Sequence, residues 1–380
     1  MSYCLNPNCP NPQNPAGTKF CLTCGSKVRL KERYRTVQPL GQGGFGRTFL
    51  AVDEDKPSHP PCVIKQFFPQ AQGTSTVQKA AQLFTQEAVR LDELGKHPQI
   101  PELLAYFCQD NQQYLVQEFI EGEDLAQELA RKGAFTEAQI CDLLNNLLPV
   151  LQFVHQHHVI HRDIKPENII RRNRDKQLFL VDFGASKVAT GTALARTGTV
   201  IGSVGYVAPE QSIGKAVFAS DIYSLGVTCI HLLTGIHPFD LFDVNQGVWV
   251  WRQGLKNPVS DRVAKILDKM LVSATNQRYQ SVAEILKDLQ SQTPVAKVKS
   301  AKPAHLPASA PIKSQPNPPQ YGKGLDKELA DLKSEFLQPP TSKSTPQKST
   351  PPTKGSANTQ KTQSQIEREL EDIKSQFLGE

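Results

Sequence analysis

From residue 291 to the end the chain is built mostly of Pro, Ser, Thr, Lys and Gln, and that shift limits where a core can form. Large apolar side chains are too sparse there to offset the entropy of ordering the backbone, so a disordered C-terminal tail is expected. The fold must be sought upstream. Residues 1–28 are rich in Cys, Pro and Asn, whereas residues 34–290 alternate apolar-periodic stretches with Gly and Pro in the manner of a globular domain. Charge follows the same division. The chain carries +6 overall, but residues 291–324 and 338–365 hold nine Lys and no acid, leaving the remainder at −3. Cations spread through Pro-rich spacers do not make a folded basic face, so no nucleic acid is expected as a partner.

No run approaches the ~18 apolar residues that a membrane helix needs. The longest candidate, around Leu225 to Leu233, is interrupted by Thr228 and His231. The start, Ser2-Tyr3-Cys4 followed by asparagines and prolines, lacks the charged and apolar regions of a secretion signal. The expectation is a cytoplasmic protein with no membrane partner.

Eight Cys in 380 residues do not suggest a disulfide scaffold. Four of them fall in two pairs, Cys4-x4-Cys9 and Cys21-x2-Cys24, separated by eleven residues. Four thiolates suffice for a closed tetrahedral Zn²⁺ site of the zinc-ribbon kind. So short a Pro-rich segment cannot fold around a core, whereas Zn²⁺ binding can supply ~10–16 kcal/mol. A redox switch through disulfides is the alternative, and the two are compatible if oxidation ejects metal. Cys62, Cys108, Cys141 and Cys229 are single and read as buried core thiols.

Between 34 and 290 the order is strands first, then mostly helices. Tyr34 to Leu40, Arg47 to Asp53, Cys62 to Phe67 and Tyr114 to Phe119 read as strands, with one helix over Val77 to Leu94. Thr136 with Gln139 forms a capping-box signal for a helix to about His155, and Ser281 with Glu284 opens another. The fold class is α+β, in two lobes at about 34–118 and 119–290.

Gly41-Gln42-Gly43-Gly44-Phe45-Gly46 lies between two expected strands, where backbone N–H groups could face a phosphate chain. Alone it could equally be a glycine-rich hairpin without a ligand. It is not the dinucleotide fingerprint, which needs a helix straight after the glycines. Lys65 ends a following strand and Glu87 lies on the helix after it, the arrangement of a lysine that holds nucleotide oxygens and a carboxylate that positions the lysine. Farther on come His161-Arg-Asp163-Ile-Lys165-Pro-Glu-Asn168 and Asp182-Phe-Gly184. Asn168 and Asp182 offer oxygens to Mg²⁺, Asp163 is left to accept a proton, and Lys165 adds a cation. Together these residues describe phosphoryl transfer.

The segment from about Tyr34 to Gln290 resembles a eukaryotic-type protein kinase domain, with six signatures in the expected order. The resemblance implies the two-lobed kinase fold, ATP and Mg²⁺ as cofactors, and protein substrates. It implies that Gly41 to Gly46 cover the phosphates, Lys65 holds the α and β phosphates, and Glu87 pairs with Lys65. Thr48, where a valine is usual, and the hinge residue Glu118 would meet the adenine, behind the gatekeeper position occupied by Gln117. Asp163 would take the substrate proton and Lys165 would contact the γ-phosphate.

Lys165 resembles the serine/threonine branch, with Ser203 beside it where a threonine is common. Glu210 of Ala208-Pro-Glu210 would pair with Arg278, and Asp221 would support the catalytic loop. Arg162, before Asp163, commonly meets a phosphate on the activation segment, with Thr199 and then Thr197 as acceptors. A four-Cys amino terminus before a kinase resembles a group of cyanobacterial serine/threonine kinases. The activity implied is that of a non-specific serine/threonine protein kinase, autophosphorylation included. The alternative is a nucleotide-binding pseudokinase or scaffold that presents the zinc module and the tail helices to partners.

Two tail segments repeat an apolar stripe at helical spacing: Leu325, Leu329, Leu332, Phe336 in 325–337, and Ile366, Leu370, Ile373, Phe377 in 366–378. Thirteen residues are marginal for a free helix, so each stripe is expected to lie against something: a partner or a second copy by preference, with an intramolecular clamp as the alternative.

Overall fold

The computed structural model describes residues 1–42, 46–69, 74–185, 187–188, 203 and 205–290. Its first part is a short hairpin, β1 (Ser2–Tyr3) with β2 (Gln13–Asn14). A six-stranded antiparallel sheet follows, formed by β3 (Arg29–Leu30), β4 (Tyr34–Gln42), β5 (Gly46–Asp53), β6 (Pro61–Phe67), β7 (Leu103–Gln109) and β8 (Gln112–Glu118). Its order is β3-β4-β5-β6-β8-β7. Helix α1 (Thr74–Leu94) connects β6 to β7, starting a turn before the expected Val77.

Register assigns each strand residue to a face, because directly opposed residues project the same way. Thr48 opposes Lys65, Leu50 opposes Val63, Lys65 opposes Leu115 and Val63 opposes Gln117, so these six share one face. Arg47, Phe49, Ala51, Cys62, Ile64, Gln66, Tyr114 and Val116 share the other. Both faces are covered. The first lies toward α1, whose Phe84, Ala88, Leu91 and Leu94 join Leu115 in the main core. The second packs on Leu5, Leu30 and Tyr34, with Tyr3 against the cluster.

The second lobe begins with β9 (Gly122–Asp124), which runs into α2 (Leu125–Lys132), capped where Asp124 accepts from Gln127 N–H at 2.9 Å. The capping box opens α3 (Glu137–Gln156): Gln139 N–H donates to the Thr136 hydroxyl at 3.3 Å and Thr136 N–H donates to Gln139 Oε1 at 2.8 Å. Strands β10 (Val159–Ile160) and β11 (Ile169–Arg172) bracket residues 161–168, and β12 (Leu178–Leu180) and β13 (Lys187–Val188) follow. Helices α4 (Pro209–Ser212), α5 (Phe218–Thr234), α6 (Asp261–Met270) and α7 (Val282–Gln290) complete the lobe. Helix α5 is buried along nearly its whole length, and its buried Ser224, Thr228 and Thr234 hydroxyls donate to carbonyls one turn back. A Cβ at Gly226 would lie 2.9 Å from Met270 Cβ, so that glycine lets α6 approach.

Three expectations are corrected here. Leu103–Gln109 is a strand although the sequence did not suggest one, because Leu-Leu-Ala-Tyr-Phe-Cys has neither alternation nor β-branching. The fourth expected strand spans Gln112–Glu118. Cys62 and Cys229 are buried, but Cys108 and Cys141 are only half-buried, so they are not core thiols. No helix of the described residues is long and apolar enough to cross a membrane.

Candidate active site

Lys65 projects from β6 toward α1, and its ammonium meets both Glu87 Oε1 on α1 and Asp182 Oδ1 at 2.8 Å. Burial would strip this ammonium of its proton, but Asp182 and Glu87 raise its pKa and hold it charged. Lys65 in turn holds the Asp182 carboxyl down to about 2. Gly184 makes the approach possible, since a Cβ there would lie 3.0 Å from Glu87 Oε2. Phe183 is fully buried, edge-on to His161 with ring centroids 4.7 Å apart. Asp182 sits at φ +67°, a left-handed conformation that costs a non-glycine residue roughly 1–3 kcal/mol and persists only where its surroundings impose it.

The loop of residues 161–168 is held from beneath. Asp221, buried in α5, accepts from His161 N–H at 2.9 Å and Arg162 N–H at 2.8 Å, and also meets His155 Nε2 at 2.9 Å. His155 therefore has a structural partner. Arg162 is at φ +72°, and its buried Nε finds no partner among the described residues. Burial pulls its guanidinium below the ordinary arginine range.

Asp163 is the convergence point. Its Oδ2 accepts from Asn168 Nδ2 at 2.9 Å and lies 3.1 Å from Lys165 Nζ, while its Oδ1 accepts from Ser203 N–H at 2.9 Å. Lys165 Nζ donates to the Ser203 hydroxyl at 2.5 Å. Asn168 spends its amide nitrogen on Asp163, which leaves its Oδ1 for a cation. Below them, Glu210 receives Arg278 Nη1 at 2.7 Å, Arg278 Nη2 at 3.3 Å and the Ser220 hydroxyl at 2.6 Å.

A family model described as the protein kinase domain matches residues 34–289. The chain belongs to the protein kinase family. The kinase is 43% identical over 303 residues to serine/threonine-protein kinase B of Synechocystis sp., an overlap covering 77% of this chain and 52% of that protein. It is 42% identical over 297 residues to serine/threonine-protein kinase C of the same organism, covering 76% and 55%. To serine/threonine-protein kinase PknA of Nostoc sp. it is 42% identical over 268 residues, covering 69% and 47%. The kinase thus spans about half the length of these relatives.

Of the expected nucleotide-site residues, Gly41 and Gln42 close β4, Gly46 opens β5, and Thr48 lies on the Lys65 face. Glu118 ends β8, with its N–H donating to Glu102 C=O at 2.9 Å. Gln117 shares the Lys65 face; it is buried, and its Oε1 has no partner among the described residues. Gly43, Gly44, Phe45, Thr197, Thr199 and the tail stripes lie outside the described residues. Sequence reading missed the outer face of the sheet and the direct Lys65–Asp182 pair. An apolar residue at Leu5 beside a metal-type Cys4 was the available signal for the first.

The amino-terminal cysteines meet. The sulfurs of Cys4, Cys9, Cys21 and Cys24 all lie within 4.8 Å of one another, with Cys4–Cys24 and Cys9–Cys21 at 3.6 Å. Zn–S bonds of about 2.3 Å in a tetrahedron imply sulfurs about 3.8 Å apart, so the set fits zinc. A disulfide would need about 2.05 Å, and all four thiols are free. Burial pushes the Cys4 thiol up. It also works against the Cys21 thiolate, yet donors from Cys24, Asn14 and Thr23 bring that group down to about 6.

Proposed function

We propose that this kinase is a non-specific serine/threonine protein kinase that transfers the γ-phosphate of ATP to Ser or Thr hydroxyls of proteins, itself included. The carrying observation is the convergence of Lys165, Asn168 and Ser203 on Asp163 beside the Lys65–Glu87–Asp182 group. Lys65, aligned by Glu87, binds the α and β phosphates. Asp163 orients the substrate hydroxyl and takes its proton as the oxygen bonds to the γ-phosphorus and the β–γ bridging bond breaks, releasing ADP. Lys165 stabilises the charge on the transferring group, while Ser203 fixes the positions of Lys165 and Asp163. Asn168 Oδ1 and the Asp182 carboxylate are hard oxygen donors of the type Mg²⁺ takes, and would hold it. Bound there, Mg²⁺ would neutralise phosphate charge.

The four-Cys set holds a structural Zn²⁺ in this reading, and Thr199 or Thr197 accepts a phosphate that Arg162 pairs. Unchanged activity in a Thr197→Ala, Thr199→Ala variant would refute the second point. The tail stripes dock a partner or a second copy, with protein substrates as the other partners and the cytoplasm as the location. Deleting residues 320–380 without changing partners or oligomeric state would dispose of the docking role.

The rival reading is a nucleotide-binding scaffold; the presence of Lys65, Asp163, Asn168 and Asp182, with Lys65 on Asp182 and Asn168 on Asp163, supports the enzyme over it. Transfer from γ-labelled ATP to protein, with Asp163→Asn as control, separates the two. Label that appears with wild type and vanishes in the variant is expected. Nucleotide binding without any transfer would establish the scaffold.

A further inference from the structure

Arg47 and Gln66 join the four-Cys segment to the outer face of the sheet whose inner face carries Lys65. Leu5 follows Cys4 directly, and its carbonyl accepts from Arg47 Nη2 and from Gln66 Nε2, the latter at 3.2 Å. Arg47 and Gln66 oppose each other across β5 and β6, and Arg47 Nη2 also donates to Gln66 Oε1 at 2.6 Å. Gln66 is 1% exposed and donates to Tyr114 Oη at 3.3 Å. The Arg47 guanidinium lies 5.3 Å from the Phe49 ring centroid and 5.2 Å from that of Phe68. Tyr3 and Met1 are tied to the sheet as well: Thr36 Oγ1 donates to Tyr3 C=O, and Arg35 Nη1 donates to Met1 C=O at 2.8 Å.

The place of this junction in the strands gives it meaning. Arg47 follows Gly46, the last glycine of the phosphate-covering loop, and Gln66 follows Lys65. Gly46 packs on the Gln66 carbonyl so closely that a Cβ would come within 2.1 Å of it. The side chains that grip Leu5 on the outer face are therefore each one residue from a nucleotide-binding group on the inner face. Adjacent strand residues share a backbone, so the side chains that hold the Leu5 carbonyl sit next in sequence to Gly46 and Lys65.

We infer that Arg47 is a positioning residue for nucleotide binding, through which the folded four-Cys segment sets the affinity of the kinase for ATP. The inference rests on the proposed kinase reading. It assigns Arg47 a role beyond packing, because packing alone would alter stability without separating KM from kcat.

The test compares full-length wild type, Arg47→Met, Cys4→Ala and the double variant by binding of a fluorescent ATP analogue and by steady-state phosphotransfer. Arg47→Met is expected to raise Kd and the KM for ATP about 5- to 10-fold, the size of one net hydrogen-bond loss, with kcat within about 2-fold. The double variant should bind no more weakly than Cys4→Ala alone, because the two act through one connection. An unchanged KM in Arg47→Met, or two effects that simply multiply, would overturn the inference. If Cys4→Ala does not fold, Gln66→Leu replaces it with the same non-additivity expected. A wild type that binds no nucleotide at all would instead sink the kinase reading.

Discussion

Lys65 has two acidic neighbours, and the consequence of removing it can be stated for each. Lys65→Met leaves Glu87 and Asp182 facing each other across Gly184 without a cation between them. Phosphotransfer should fall more than ~100-fold, since positioning and charge at the phosphates are lost together. Labelled-ATP turnover measures this, and a variant keeping a tenth of wild-type activity would contradict it. Gln117 predicts the opposite sign for stability. Its buried Oε1 lacks a partner among the described residues, so Gln117→Met removes a desolvation cost of about 1 kcal/mol and should raise Tm by about 2–4 °C in the nucleotide-free protein. A fall in Tm on a thermal scan would show that the amide is satisfied after all. At this scale the sequence was legible where local spacing brings side chains together, as Asp163, Lys165 and Asn168 meet within residues 161–168. Lys65 and Asp182 are 117 positions apart, and nothing in either segment announces their direct contact.

The Glu210–Arg278 pair ties α4 to the turn before α7, and its pH dependence follows from its setting. Burial alone would raise the Glu210 pKa, but the hydrogen bonds from Arg278 and Ser220 bring it below its ordinary 4.5. A depressed carboxylate contributes stability that is complete above the unfolded value and is lost as pH falls through the folded one. Glu210→Gln should therefore cost about 3–5 kcal/mol near pH 7, because it leaves a fully buried guanidinium without its counter-charge. Denaturant melts at a series of pH values should show the gap between wild type and variant narrowing below about pH 4.5. A constant gap would mean that the charge on Glu210 contributes nothing. Helix ends with side-chain caps, such as Thr136, were readable because capping is local chemistry. Strand β7 was not, although Asp110 and Asn111 at φ +50° and +58° form the two-residue turn that leads into β8.

Across the whole described molecule, the amino-terminal segment and the first lobe form one layered object. Leu5 and Tyr3 close the outer face of a sheet whose inner face holds Lys65. Stripping metal with a chelator at neutral pH should lower Tm and release about one zinc per chain, with thiol titration rising to include Cys4, Cys9, Cys21 and Cys24. A melting curve indifferent to the chelator would argue against a zinc-held fold. The sequence showed the cysteine pattern but not what the segment touches, since coverage of a sheet face depends on partners distant in the chain.

The passage between the two is a tight hairpin. Leu30 C=O accepts from Arg33 N–H at 3.0 Å, and Lys31 and Glu32 stand at φ +52° and +54°. Such a turn keeps the end of the four-Cys segment beside the strand it enters. The direct ties of Met1, Tyr3 and Leu5 to the sheet do not run through it. A few glycines inserted between Lys31 and Glu32 would therefore leave those ties in place, and the segment would stay seated like a tile held by its own clips.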